Sequence, residues 1–546
     1  MANIFNGHFS NVGARLAGQL DNAEVTFHQY LRQPNQNEMH FNLVNSREIV
    51  SVVSDLNDAA PGDDNIPTNI VKYVIEVIKD PLVHLCNVSL TSGVFPTALK
   101  LSKISPLLKS GDKKLVNNYR PIALLSVFSK IYEKVVLNRL NIFLNDNSII
   151  KESQFGFQRF RSTTGAILKL NDFILKCFDK KEYVLALFLD LSKAFDCINH
   201  DILLYKLQHI GVRGIALEWF RSYLNGRTQY VYVNKCKSQP ETLSCSVPQG
   251  SILGPLLFIL YINEIAHISK VLKCILYADD AVLYCVDRDL QNLIHTLNIE
   301  IRNITDWLVC SKLTINVNKT KAVIFTRRHI SYDAIPSIKV LDRNIEILKE
   351  INFLGITLTS NLSWKSHVYE IVMKISKLNS IIYLVRDSLN SDALKIIYNS
   401  LVYPYLTYCN VIWGSTYRQN IDPLVKVMKR VIRTMTYSHR YEHTIDLFAR
   451  FNLLNYENVN KYCVCLFVYK SLNGITDLPD YFQYNMNVHN LNLRNNHQLR
   501  HPQVGSEQSK QAIAYRGCSE WNNLNSNLQL SNSVITFKRN LKNSLL

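Results

Sequence analysis

Three aspartates are the residues whose type and setting could do chemistry. Asp190 ends the apolar run Tyr183-Val184-Leu185-Ala186-Leu187-Phe188-Leu189, and Asp279-Asp280 separate two apolar stretches at 273–277 and 281–285. An Asp-Asp pair in a turn is usually a solvated turn former. Here the pair sits at the tip of an apolar hairpin, and carboxylates in apolar settings are costly unless a cation compensates them. Hard oxygen donors suit magnesium, which takes one or two protein carboxylates together with substrate phosphates. Two such ions stabilise the attacking and leaving oxygens of an in-line phosphoryl transfer. In that arrangement Asp190 and Asp279 bridge the metals and Asp280, pointing partly away, is the weaker ligand. The expected cofactor is two Mg2+ ions, with Mn2+ as an alternative.

The elements that must position these acids are legible in the spacing. The run before Asp190 suits a strand buried on both faces. Residues 273–277 and 281–285 read as the two strands of a hairpin with the acids at its tip. Helical spacing appears at 70–90, 124–143, 201–210 and 290–308, and residues 253–265 read as a buried helix or helix-strand unit. Residues 104–108, 313–316 and 322–326 read as short strands, the last two joined by a basic turn. Beyond Trp364 the period is helical almost to Asn473, and the last seventy residues are Asn-rich and weakly patterned.

Composition limits the class. The chain has 546 residues, 47% hydrophobic, with 28 Tyr and 23 Phe against 18 Gly and 15 Pro, which excludes collagenous and disordered proteins. Its net charge is +17, yet residues 1–80 hold five Lys and Arg against ten Asp and Glu. The basic remainder points to a polyanion, nucleic acid first. Twelve dispersed cysteines form no disulfide framework and read as reduced core residues. The longest apolar run, 252–262, is too short for a membrane span, and no signal peptide is visible, so an intracellular location, nucleus or cytoplasm, is expected.

Between the acids lies Val247-Pro248-Gln249-Gly250-Ser251. Asp190 with Phe195, this Pro-Gln-Gly segment and Tyr277-Ala278-Asp279-Asp280 stand in the order of reverse-transcriptase motifs A, B and C. Tyr119-Arg120-Pro121-Ile122, Gln154-Phe155-Gly156-Phe157 with Arg161-Ser162-Thr163, Ala194-Phe195-Asp196 with His200, Asn316 with Lys319-Thr320-Lys321, and Phe353-Leu354-Gly355-Ile356 extend the match. The chain resembles the polymerase of a non-LTR retrotransposon, a long interspersed element of the jockey and CR1 kind.

That resemblance implies roles. Phe195 is the ribose gate, its ring colliding with a 2′-hydroxyl. Gln249 and Gly250 offer an amide and a close backbone approach to the nascent pair. Arg120 covers the incoming triphosphate with Lys109 as a weaker companion, and Arg161 joins the substrate-binding set. Lys319 is the general acid for pyrophosphate, with Lys321 competing. Phe353, Leu354 and Gly355 grip the primer. Two finger positions depart from the family pattern Gly-Phe-Arg-x-Gly-Arg-Ser-Thr: Gln158 replaces the arginine and Phe160 the glycine. Ser246 stands where a glycine usually precedes Val-Pro-Gln-Gly.

The implied fold class is α+β, a right-hand polymerase with fingers and palm at 88–358, a helical thumb and connection at 359–470, an N-terminal extension at 1–87 and a C-terminal tail at 471–546. No N-terminal endonuclease is visible. The implied activity is RNA-directed DNA polymerisation, with an RNA template, a DNA primer or target and deoxynucleoside triphosphates as partners and no membrane. The alternative is a catalytically degenerate, retroelement-derived RNA-binding protein. An RNA-directed RNA polymerase is disfavoured by Phe195, and a group II intron maturase is a further rival.

Overall fold

The apolar run 183–189 forms the central strand, Tyr183–Asp190, of a five-stranded sheet. Its order is Ile347–Leu348, Lys321–Phe325, Tyr183–Asp190, Asp280–Asp287, Lys273–Tyr277, and both neighbours of the central strand run antiparallel to it. The computed structural model that shows this describes residues 1–20, 26–332, 335–476, 478, 481–487 and 496–546. Side chains alternate between two cores, as a period of two requires. Leu185, Leu187 and Leu189 face one apolar cluster, and Val184, Ala186 and Phe188 face the other. A sheet buried on both faces explains why the run reads as continuously apolar rather than alternating.

The first cluster contains the helices Val127–Asp146, His200–His209, Gly254–Tyr261 and Leu290–Cys310. Side-chain caps start three of these four: Ser126, Asn199 and Asp289 accept from Phe128, Ile202 and Gln291 N–H. The second cluster contains Thr163–Asp179 and the C-terminal helices. A second five-stranded sheet joins Tyr119–Leu124 antiparallel to Leu101–Leu108, which pairs parallel with Thr228–Val233. The helix Ala2–Gly18 lies on that sheet, with Phe5 and Phe9 packed on Ile104, Ala123 and Val231. The architecture is mixed α/β.

Several expectations change. Residues 313–316 do not form a strand; they make one isolated bridge, Leu191 to Ile315. The chain leaves the ladder there because Asn316 N–H donates to Asp190 O at 2.8 Å and the backbone then turns, Thr320 N–H returning to Asn316 O at 2.9 Å. The helix Thr68–Ser92 crosses the expected boundary at 87/88, and Tyr456–Leu472 crosses that at 470/471.

The weakly patterned C-terminus carries the helices Ile513–Asn522 and Val534–Leu545, whose Trp521, Phe537 and Leu541 are buried. Tyr469 stacks on Phe537 at 4.2 Å. These side chains dock the described C-terminal helices on the second core. None of the twelve cysteines forms a disulfide, and nine are buried. Among the described residues no helix is long and apolar enough to cross a membrane.

Candidate active site

Strand register brings the acids together. Asp190 is the direct partner of Asp280 across the antiparallel ladder, and Ala278, at φ +56, turns the hairpin so that Asp279 occupies its tip. The turn is buttressed from the segment 153–156. Phe155 N–H donates to Leu276 O at 2.7 Å and Leu276 N–H to Ser153 O at 2.8 Å. Gly156 lies so close that a Cβ there would stand 2.2 Å from Ala278 N, which only glycine permits. Asp190 is held from behind by the turn 316–320, its N–H donating to Thr320 Oγ1 at 3.3 Å.

The charges are mutually unfavourable. Burial raises the Asp190 carboxyl above its ordinary range, as does Asp279, while Lys319, Lys109 and a hydrogen bond from Asn316 pull it back. Burial together with Asp279 and Asp190 pushes Asp280 up to about 6. Such an excess of carboxylate is what a bound cation relieves. Among the described residues no three His, Cys, Asp or Glu side chains are grouped so that they alone could hold a metal ion. Asp190 and Asp279 line an open cavity, whereas Asp280 is outside its lining. Two carboxylates facing such a cavity fit a hard ion that takes its remaining ligands from substrate and water.

This yields a prediction with a definite sign. The folded-state value near 6 exceeds the ordinary 3.8. Folded protein therefore binds the Asp280 proton more tightly than unfolded chain, and that stabilisation is lost as pH rises through about 6. Asp280→Asn should raise the metal-free Tm at neutral pH and match wild type near pH 4. Thermal scans of both proteins check it, and identical pH dependence would contradict it.

The cavity, about 580 Å³, is lined by cations from four regions: Arg15, Lys109 and Arg120, Lys193, and Lys319. Phe195 forms part of its wall, half-buried, stacked on Phe258 at 4.5 Å and edge-on to Phe157 at 6.4 Å. Gln249 is also in the lining, but its amide donates to Asp196 Oδ1 at 2.7 Å. Asp196 is buried, which pushes its carboxyl up to about 6. Gly250 is not in the lining. At φ +135 it packs on the strand Tyr119–Leu124, where a Cβ would stand 2.3 Å from Ala123 O, and Ala123 N–H donates to Gln249 O at 2.8 Å. The close approach this glycine permits is to the protein's own backbone.

Other expected residues divide. Lys321 pairs with Glu346 at 2.8 Å, which leaves Lys319 as the lysine of that turn in the cavity. Arg161 does not reach this cavity: it donates to Glu152 O at 2.7 Å, lies 5.0 Å over the Phe155 ring and lines a separate hollow. Phe353 is buried against Phe188, ring centres 5.4 Å apart, so it anchors its hairpin and presents no surface to a primer. The tip itself, Leu354 and Gly355 at φ +48 and +79, remains outside, with Leu354 O accepting from the Tyr408 hydroxyl at 2.6 Å. Phe160 keeps the left-handed backbone a glycine would adopt, φ +64, at a cost of about 1–2 kcal/mol. Ser246 does the same at φ +86.

Sequence reasoning missed three contributors. Arg15 comes from the N-terminal helix, and Lys193, half-buried, from the turn after Asp190. Glu133, fully buried, accepts from Ile252 and Leu253 N–H at 2.7 and 3.2 Å and so fixes the loop that carries Gln249. A lone glutamate on an otherwise apolar helical face was the available signal for the last.

Residues 108–358 match the family model described as reverse transcriptase (RNA-dependent DNA polymerase). The chain is 28% identical over 438 residues to the probable RNA-directed DNA polymerase from transposon BS of Drosophila melanogaster, covering 78% of this chain and 48% of that one. It is 26% identical over 457 residues to the RNA-directed DNA polymerase from mobile element jockey of Drosophila funebris, covering 81% and 49%. To the Pol polyprotein from type-1 retrotransposable element R1 of Bradysia coprophila it is 27% identical over 368 residues, covering 66% and 36%. The chain spans about half the length of the first two of these relatives.

Proposed function

We propose, from the match of residues 108–358 to the reverse transcriptase family model and the likeness to RNA-directed DNA polymerases of mobile elements, that the chain is an RNA-directed DNA polymerase of a non-LTR retrotransposon. It adds deoxynucleotides to a primer 3′ end on an RNA template and releases pyrophosphate. The observation that carries the reading is the pairing of Asp190 with Asp280 beside Asp279, at a cavity that also holds Lys109, Arg120 and Lys319 and is walled by Phe195. Cations that share a cavity with carboxylates suit a triphosphate, whose oxygens the cations would bind while the acids would hold a divalent ion.

In this reading the two sheets and their helices are fingers and palm, and the helices from Lys365 onward are the thumb and connection. Asp190 and Asp279, with Asp280 as the weaker ligand, would hold two Mg2+ ions. When bound, these supply Lewis-acid stabilisation of the attacking and leaving oxygens. Lys109 and Arg120 bind the triphosphate oxygens, and Arg120's fork suits two of them at once. Lys319, close enough to Asp190 to lower its pKa, gives its proton to the leaving pyrophosphate. Phe195 excludes the ribose 2′-hydroxyl. Gln249, held by Asp196, backs the base pair, and Leu354 and Gly355 meet the primer end. From residue 365 onward the chain has 21 Lys and Arg against 11 Asp and Glu, a balance that suits duplex binding.

Metal removal tests the cofactor. Primer extension should stop in EDTA and return with added Mg2+. Extension that persists in EDTA would contradict the reading.

A further inference from the structure

The segment that buttresses the aspartate hairpin has a second side. Phe157 meets the ring of Phe195, which walls the first cavity, whereas Phe160 and Arg161 line a different hollow of about 580 Å³. Its other walls include Tyr462, Phe467 and Lys470 from the helix Tyr456–Leu472 and Lys538 from the helix Val534–Leu545. Among the described residues no aspartate or glutamate lines it. Lys470 and Lys538 share this lining, where burial and then the Lys538 charge lower the Lys470 pKa. Among the described residues of the lining no carboxylate stands beside these two ammonium groups.

Phe160 is the unusual member. Its backbone is left-handed, a conformation bulky side chains avoid, yet its ring is 54% exposed. The Arg159 guanidinium lies 4.7 Å over that ring, and Phe160 belongs to no buried cluster. A strained residue that gives the core nothing is a marker of function. Arg161 donates once to Glu152 O and retains further N–H groups for a ligand.

We propose that this hollow binds a nucleic acid single strand, with Phe160 as a base-stacking platform and Arg161, Lys470 and Lys538 holding phosphates. Aromatic faces interleaved with unpaired cations are how single strands are held without sequence preference. The identity of the strand, the RNA template next to the templating position, rests on the polymerase reading. The segment that brings Phe160 to this hollow brings Phe157, three residues earlier, against the Phe195 ring that walls the first cavity, so a template held at the hollow would lie beside that wall.

The test uses the full chain and a fluorescein-labelled oligouridine, read by anisotropy beside a melting curve. Phe160→Gly should weaken RNA binding about 5- to 30-fold. Its Tm should stay level or rise, because glycine relieves the backbone. Phe160→Tyr should bind within about twofold of wild type. The double variant Lys470→Glu, Lys538→Glu should lose about tenfold or more and show a shallower salt dependence. Wild-type affinity in Phe160→Gly, or in the double variant, would overturn the site. The polymerase reading fails by a different observation, undiminished primer extension by Asp279→Asn, so the two failures are distinguishable.

Discussion

Asp279→Asn is expected to lower primer extension by about 10³-fold or more, which is about 4 kcal/mol of transition-state stabilisation. Template–primer affinity should change little, because Asp279 sits at a hairpin tip and its side chain reaches solvent. Asparagine keeps the shape and removes the charge. What is lost is charge that matters as the phosphoryl group moves, so the defect should appear in kcat rather than in Kd. Stability should not fall, since a mutually repelling carboxylate has been removed. The measurement is single-turnover extension beside equilibrium binding for both proteins. Unchanged extension would remove the polymerase assignment of this site.

Replacing Phe195 by valine should change sugar selection. The ring walls the cavity that holds Asp190 and Asp279, and valine removes volume where a 2′-oxygen must otherwise be excluded. A loss of about 2–4 kcal/mol in deoxynucleotide preference, roughly 30- to 1000-fold, is the expected scale. Phe195 also stacks on Phe258, so some stability will be lost with the ring. The two effects separate cleanly: packing loss lowers dGTP and GTP use together, whereas a gate changes their ratio. kcat/KM for both substrates on one RNA template, with a melting curve for each protein, decides it. A constant ratio with a lowered Tm would make Phe195 a packing residue and nothing more.

The strands carrying the three acids were legible because a doubly buried strand must be apolar throughout and a hairpin tip must be polar. Local spacing gave less where a long-range contact decides the outcome. Gly250 reads as an approach to substrate, but its left-handed backbone is committed to Ala123. Phe353 reads as a primer contact, but strand alternation turns it inward onto Phe188. Lys319 and Lys321 were indistinguishable until Glu346, 25 residues beyond Lys321, engaged one of them. Arg15 and Glu133 belong to helices with no chemical motif, and only tertiary packing brings them to the site or behind its loop. The C-terminal helices escaped notice because Asn-rich surfaces dilute the few apolar residues, Trp521, Phe537 and Leu541, that dock them.

The central claim is template-directed synthesis of DNA on RNA. Single-nucleotide incorporation on four RNA templates that differ only in the templating base, each offered all dNTPs or all NTPs in turn, tests it most directly. The account predicts addition of the complementary deoxynucleotide on every template and little use of ribonucleotides. Addition that ignores the templating base, or that prefers ribonucleotides, would contradict it.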